Sequence, residues 1–523
     1  MNKVLESFLV LALVVLTLLV WTSPIGDMPF GDVDSSGHFL LGDYYYQSDR
    51  PYYTLPNIIY VFISKTLTNL WYPPQFHLNA AMFQIIGGSR IIPAYLFYAF
   101  ACSLAVITTY FLMRKLFGIF PALLAGLFLA FSKRDYLAYL WGLWPERISY
   151  ALLPMVMYTY YRYTNSYLKK KDNNAYLFLT LLLMACQYLM HPQGLFHSLV
   201  VLGIYTIFLV IKSRRFPVSI RNSILPVILF ILLVAPFSYT TIRYVTQVMP
   251  QQSGDSLRIQ NPSRLFQWYP PDIPYTPWLG DYGVMYGWWT FPFLMLGIVY
   301  LLIKRDRKSL LMLSFLIGLY LLMHLDVIGY SNRVHRSLNA ESHIFYPLIA
   351  LGMYFAATAL RVSRKYQPVL KYSLLVLFIL VIAFMHAKKE YPNISQAYAG
   401  YLRITQPQYD AAVWMKDNVP EDAKVRLVGT AIYYKKKWIP VLSHREVLFG
   451  GHNDLISDIP GANETEYVFF DLSDFVTLDN QDAIGYLNYW GSQNLQGASQ
   501  IYNRNNVRIY RLDTNNANNT DPQ

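Results

Sequence analysis

The sequence predicts a polytopic α-helical membrane protein: a transmembrane domain over residues 1–390, with about eleven spanning helices, and a small external α/β domain over 391–523. Three observations carry this. Of 523 residues, 54% are hydrophobic and only 14% charged, where an ordinary soluble domain has roughly a quarter charged. Apolar runs of bilayer-spanning length recur through the first three quarters of the chain. The charge is also divided. Residues 391–523 hold 11 Lys/Arg against 15 Asp/Glu and the rest hold 32 against 16, net −4 and +16.

The predicted spans are 4–21, 91–113, 118–131, 148–163, 175–190, 196–211, 223–242, 283–303, 309–325, 344–360 and 372–387. The first is read as a retained signal anchor. Basic connectors at Arg114-Lys115, Lys169 to Lys171, Lys212 to Arg221, Lys304 to Lys308 and Arg361 to Lys371 follow every second span. Lys and Arg collect on the cytoplasmic side, so the expectation is a plasma-membrane protein with a cytoplasmic N-terminus and an extracytoplasmic C-terminal domain. The net charge of +12 is then topological, and no nucleic-acid partner is implied. Cys102 and Cys186 fall inside apolar runs and imply neither a disulfide nor a thiolate metal site.

The loops expected to face outward are 22–90, 132–147, 191–195, 243–282 and 326–343, and they hold most of the candidate chemistry. Immediately after the first span comes Gly31-Asp32-Val33-Asp34-Ser35-Ser36-Gly37-His38. Acids gathered at a helix exit suit polar chemistry on a lipid-borne substrate. Asp34 is the candidate general base, and His38, at helical i+4 spacing, is a candidate to share its substrate. Asp43 and Asp49 read as ordinary surface acids. In Trp144-Pro145-Glu146-Arg147, Glu146 is a candidate metal ligand beside Asp34, while the bland alternative is an ion pair between Glu146 and Arg147. His191 lies in a short turn on the same expected face. Arg333 and Arg336, in the loop before the tenth span, are candidates for a substrate phosphate, because a guanidinium fork binds paired oxygens and stays charged. Their bland alternative is contact with lipid headgroups. No Walker, Ser-hydrolase, zincin or dinucleotide motif is present, so no nucleotide cofactor is expected; a divalent cation, Mg or Mn, is the candidate cofactor.

In the tail, Asp410 to Pro420 reads as an amphipathic helix stopped by proline. Lys424 to Gly429, Lys437 to Leu442, Tyr467 to Asp471 and Asn506 to Leu512 read as strands. Its composition is that of a soluble domain expected to fold largely on its own.

The acidic segment after helix one, the inward basic loops and the external C-terminal domain together resemble the GT-C superfamily of membrane glycosyltransferases. That resemblance implies sugar transfer from a polyprenyl-phosphate-linked donor, with a first-loop aspartate as the functional hallmark; Asp34 is the matching position. Trp144-Pro145-Glu146 with Leu152-Leu153-Pro154, and the His191-Pro192 turn, look like the prokaryotic membrane proteins labelled 6-pyruvoyl-tetrahydropterin synthase-related. The resemblance to oligosaccharyltransferase catalytic subunits is more distant. Their Trp-Trp-Asp-Tyr-Gly motif is missing from the tail, and the nearest string, Trp278 to Gly283, precedes the eighth span. The expected partners are a polyprenyl-linked sugar donor, membrane lipid and an acceptor protein or glycan of the cell envelope. A rival reading is a non-catalytic membrane scaffold whose external domain docks other proteins.

Overall fold

The computed structural model describes residues 3–47, 73–171, 173–243, 265–269, 280–328, 334–359, 367–385, 402–449, 455 and 465–512. Each apolar run expected to span is helical: α1 (Lys3–Thr22), α4 (Ile92–Leu116), α5 (Ile119–Ala130), α7 (Trp144–Tyr167), α8 (Asn174–Met190), α9 (Pro192–Ser213), α10 (Ile220–Arg243), α12 (Phe291–Lys304), α13 (Arg307–Met323), α14 (Ser342–Ala359) and α15 (Gln367–Ile382). Five stretches among them are long and apolar enough to cross a membrane: Lys3–Thr22, Ile92–Leu116, Pro192–Ser213, Ile220–Ser238 and Ser342–Ala359. Helix α1 shows why its surroundings are lipid. Leu13, Thr17, Val20 and Trp21 are buried, while Val4, Phe8, Leu11, Val15 and Leu19 form an exposed apolar stripe on the other side. A helix in water would place polar residues there.

Among the described residues of this part there are also four shorter α-helices: α2 (Val33–Gln47), α3 (Gln75–Gly87), α6 (Lys133–Leu140) and α11 (Tyr282–Tyr286). They belong to the connecting segments and hold most of the polar residues considered below. A 3-10 helix, Val334–Ala340, leads into α14.

The tail carries a five-stranded sheet in the order β2-β1-β3-β5-β4, with β1 Lys424–Gly429, β2 Glu446–Leu448, β3 Tyr467–Asp471, β4 Ser499–Arg504 and β5 Val507–Arg511. Around it lie α16 (Gln406–Asn418), α17 (Tyr433–Ser443), α18 (Ser473–Thr477) and α19 (Gln481–Asn494). Helix α16 opens with a capping box at Thr405 and Gln408. The expected strand Lys437 to Leu442 is instead the second half of α17. The reason is topological: β1 and β2 pair in parallel, and parallel neighbours need a crossover, usually helical.

The tail and the first loop share one core. Met415, Val425, Trp438 and Val447 lie in the same buried apolar cluster as Trp21, Phe30, Phe39 and Tyr95. An antiparallel bridge pairs Phe30 with Arg403, and Trp438 Nε1 donates to the Gly31 carbonyl at 3.3 Å. Asp43 is no surface acid. It is fully buried and takes Arg90 Nε at 2.9 Å, with His444 Nε2 at 3.2 Å, which ties α2 to the end of α17. Burial pushes its carboxyl up, but the bonds from His444 and Arg90 outweigh that and hold it at about 2. Asp49 lies outside the described residues.

Candidate functional site

Helix α2 is set against the turn between α6 and α7 by close backbone contact. Asp32 N donates to the Leu140 carbonyl at 3.4 Å, and Ser35 N donates back to the Asp32 carbonyl at 2.9 Å. Gly142, at φ 80°, passes so close that a Cβ would collide with Ser35. The first turn of α2 therefore lies beside the first turn of α7, and Asp34 comes near Glu146.

The third member arrives from the far side of the sequence. Arg336, on the 3-10 helix before α14, places Nη2 3.4 Å from Asp34 Oδ2 and Nη1 3.6 Å from Glu146 Oε2. Asn339, nearly one turn on, donates Nδ2 to Glu146 Oε1 at 2.9 Å. The three charged side chains differ in access: Asp34 is 36% exposed, Arg336 22% and Glu146 2%. The result is one guanidinium bridging a fixed buried carboxylate and a more exposed one.

His38 lies one turn beyond Asp34, with Nδ1 3.0 Å from Nε2 of His77 on α3 and its ring against Phe76 and Trp144. Burial pushes His38 down to about 4, with Asp34 opposing and Arg336 reinforcing the shift. His77 is pushed down as well, by burial and then by His38. Both rings are neutral at neutral pH, so His38 offers a polar nitrogen to a substrate and no charge. His191 is the N-cap of α9. Its Nδ1 accepts from Gln193 N at 3.1 Å, and its carbonyl accepts from Ser149 Oγ at 3.0 Å, one helical turn beyond Glu146. Those bonds give it a structural duty. Arg333 lies outside the described residues.

As metal ligands, Asp34 and Glu146 are poorly set. Among the described residues no group of three or more His, Cys, Asp or Glu is arranged to hold a metal ion. Both carboxylates face the Arg336 guanidinium, so a fixed cation already meets their charge. Among the described residues the set is two carboxylates bridged by a guanidinium, fewer ligands than a divalent ion takes.

Two features escaped the sequence reading. Lys437, on α17, is buried at 7% exposure; burial pushes its ammonium down, and the carboxylates of Asp34 and Asp32 draw it back up. The available signal was Lys435-Lys436-Lys437 standing together in an otherwise acidic tail. The second feature is the fate of Arg147. It does not pair with Glu146. It forms an ion pair with Asp135 and donates to the Asn339 carbonyl at 2.8 Å. Arg134 beside it pairs with Glu341 at 2.9 Å, both fully buried.

A bundle of apolar helices with a sheet unit packed over the exit of the first helix is a fold that solved membrane proteins share. Residues 9–429 match the model of DUF6541, a family of unknown function, and the chain belongs to that family. Its label differs from that of the pterin-synthase-related proteins which the short motifs resemble. Among solved structures, the fold is similar to ArnT from Cupriavidus metallidurans in the apo state, at 13% identity, covering 99% of this chain and 100% of that one, TM-score 0.60. It is similar to the same protein bound to undecaprenyl phosphate, at 13% identity, coverage of 98% and 99%, TM-score 0.60. It is also similar to the archaeal oligosaccharyltransferase AglB from Archaeoglobus fulgidus in complex with an inhibitory peptide and a dolichol-phosphate, at 14% identity, coverage of 97% and 74%, TM-score 0.53. No curated protein sequence matches this chain. At these identities the likeness is one of fold.

Proposed function

We propose that this protein transfers a sugar from a polyprenyl-phosphate-linked donor to an acceptor on the outer face of the plasma membrane. The observation that carries the reading is Asp34, held at the exit of the first helix with Arg336 and Glu146 beside it. The structures of ArnT with undecaprenyl phosphate and of AglB with dolichol-phosphate support a lipid-phosphate donor on this fold. In this reading the N-terminus is cytoplasmic, and the part from about residue 391 lies outside as a domain seated on the first loop.

The reaction balances as follows. The acceptor hydroxyl oxygen forms a bond to the anomeric carbon and gives its proton to the Asp34 carboxylate. The bond between that carbon and the donor phosphate oxygen breaks, and its electron pair leaves with the phosphate. Arg336, with Arg333 as a further candidate, offsets the charge that develops there. A guanidinium placed between the two acids serves this role without a divalent cation. His38 and the neutral His77 shape the wall behind Asp34, and His191 supports α7.

The test is transfer from a panel of polyprenyl-linked sugars by purified protein in lipid. Turnover with at least one donor, absent in Asp34→Asn, supports the reading. Wild-type turnover in Asp34→Asn removes Asp34 from it, and failure with every donor leaves the scaffold reading in its place. An Asn-containing peptide among the acceptors distinguishes an oligosaccharyltransferase.

A further inference from the structure

Arg336 is claimed by two carboxylates that hold it unequally. Glu146 is 2% exposed, and its other oxygen is fixed by Asn339 at 2.9 Å. Asp34 is 36% exposed and stands on the first turn of α2; its oxygen lies 3.4 Å from the guanidinium and that of Glu146 3.6 Å, so the two differ in burial and in the bond from Asn339, not in distance. A site whose base is already engaged by the group meant to receive the leaving phosphate is a resting site. For chemistry, Asp34 must let go.

We propose that Glu146 and Asn339 are positioning residues that hold Arg336 in place, while Asp34 is its removable partner, displaced by the donor phosphate. Donor binding then frees the base at the moment it is needed. This rests on the lipid-phosphate reading above and adds an order of events to it. The donor phosphodiester matches a carboxylate at the fork, with one negative charge and two non-bridging oxygens for the paired N–H groups, and burial of its lipid chain adds the driving force that displaces Asp34. Glu146 stays behind and keeps the guanidinium from following the phosphate. Without a donor, Asp34 stays paired, and a stray hydroxyl finds no base.

The consequence is counterintuitive for a residue assigned to catalysis: removing the charge of Asp34 strengthens donor binding. The experiment titrates undecaprenyl phosphate into the full-length protein in nanodiscs of neutral lipid, at fixed salt. It compares wild type, Asp34→Asn, Arg336→Gln and the double variant. Asp34→Asn is expected to bind about 2- to 5-fold more tightly, the range that losing a partly exposed competing ion pair allows. In the Arg336→Gln background the same change should have no effect, since the competition acts through Arg336. Asp34→Ser repeats the comparison without the Asn amide. Equal or weaker binding by both Asp34 variants overturns the displacement, as does equal tightening with and without Arg336. Failure of the wild type to bind undecaprenyl phosphate is a different result: it overturns the donor reading, and the displacement falls with it.

Discussion

Two ion clusters meet where α6, α7 and the segment before α14 converge, and they are built in opposite ways. In the first, Arg134 and Glu341 pair at 2.9 Å with neither side chain exposed. Trp268 Nε1 and the Tyr286 hydroxyl donate to Glu341 at 2.7 and 2.8 Å, and Arg147 is held by Asp135 and, at 3.0 Å, by His343. In the second, Arg336 reaches Asp34 and Glu146 at 3.4 and 3.6 Å, with Asp34 partly in solvent. Glu146 and Arg147 are consecutive, yet roughly 100° of helix rotation sends them to different clusters. The first cluster ties five chain segments to one another, and in the proposed reading the second holds one side chain ready to move. Buried, paired charge stands for architecture in this comparison; the more accessible pairing at Asp34 is the one the proposed function assigns to the reaction.

The sharpest way to break this comparison is Asp34→Asn. It should lower transfer by about 100-fold or more, the scale of a lost general base. Unfolding stability should change by less than about 1 kcal/mol, as for an exposed pair. A thermal-unfolding scan beside the transfer assay reads both, and a destabilised variant would place Asp34 in the architectural group. Next is Glu341→Gln, which leaves the Arg134 charge buried without its anion. A loss of about 3–5 kcal/mol is expected, seen as low abundance and early melting; near-wild-type melting would mean that water reaches Arg134.

A pH series tests the two histidines beside Asp34. His38 is held down to about 4 by burial, against Asp34, and His77 is lowered in the same sense. A base depressed in the folded state binds its proton more readily when unfolded. Their effect on stability is therefore constant above about pH 6.5, the unfolded value, and stability falls as pH drops from there towards 4. His38→Gln should flatten that slope by about one proton, and an unchanged slope would show that His38 is not the group titrating. The smallest effect expected is from Lys437→Gln, which takes a cation from beside Asp34 and Asp32. Turnover should fall about 2- to 5-fold, the scale of a partly screened ion pair, and Lys437→Arg should restore it. Full activity in Lys437→Gln would confine the site to the membrane part.

The helices were legible because a spanning run is a local signal, and Asp34 because its position at a helix exit is also local. What stayed hidden is pairing across the chain. No spacing rule joins Arg134 to Glu341, or Arg336 to Asp34, whose partners lie 302 positions apart. Local reading suggested Glu146 with Arg147, the only partner in view. Asp43 looked like a surface acid because Arg90 and His444 approach it from elsewhere in the chain. Helix α17 was read as a strand because Trp438 to Leu442 is apolar throughout; burial on all sides erases the alternation that would separate helix from strand. His191, singled out in the sequence as a substrate candidate, also caps a helix through Nδ1.

The bond from Trp438 to the Gly31 carbonyl closes a separation of 407 residues. During synthesis, at about 5–20 residues per second, the ribosome makes the turn that carries Asp34 roughly 20–80 s before the helix that packs over it. Throughout that interval Phe30 and Phe39 wait without their covering partner Trp438. The end of the molecule that carries Asp34 is thus begun first and finished last, and its cover comes only with the last quarter of the chain.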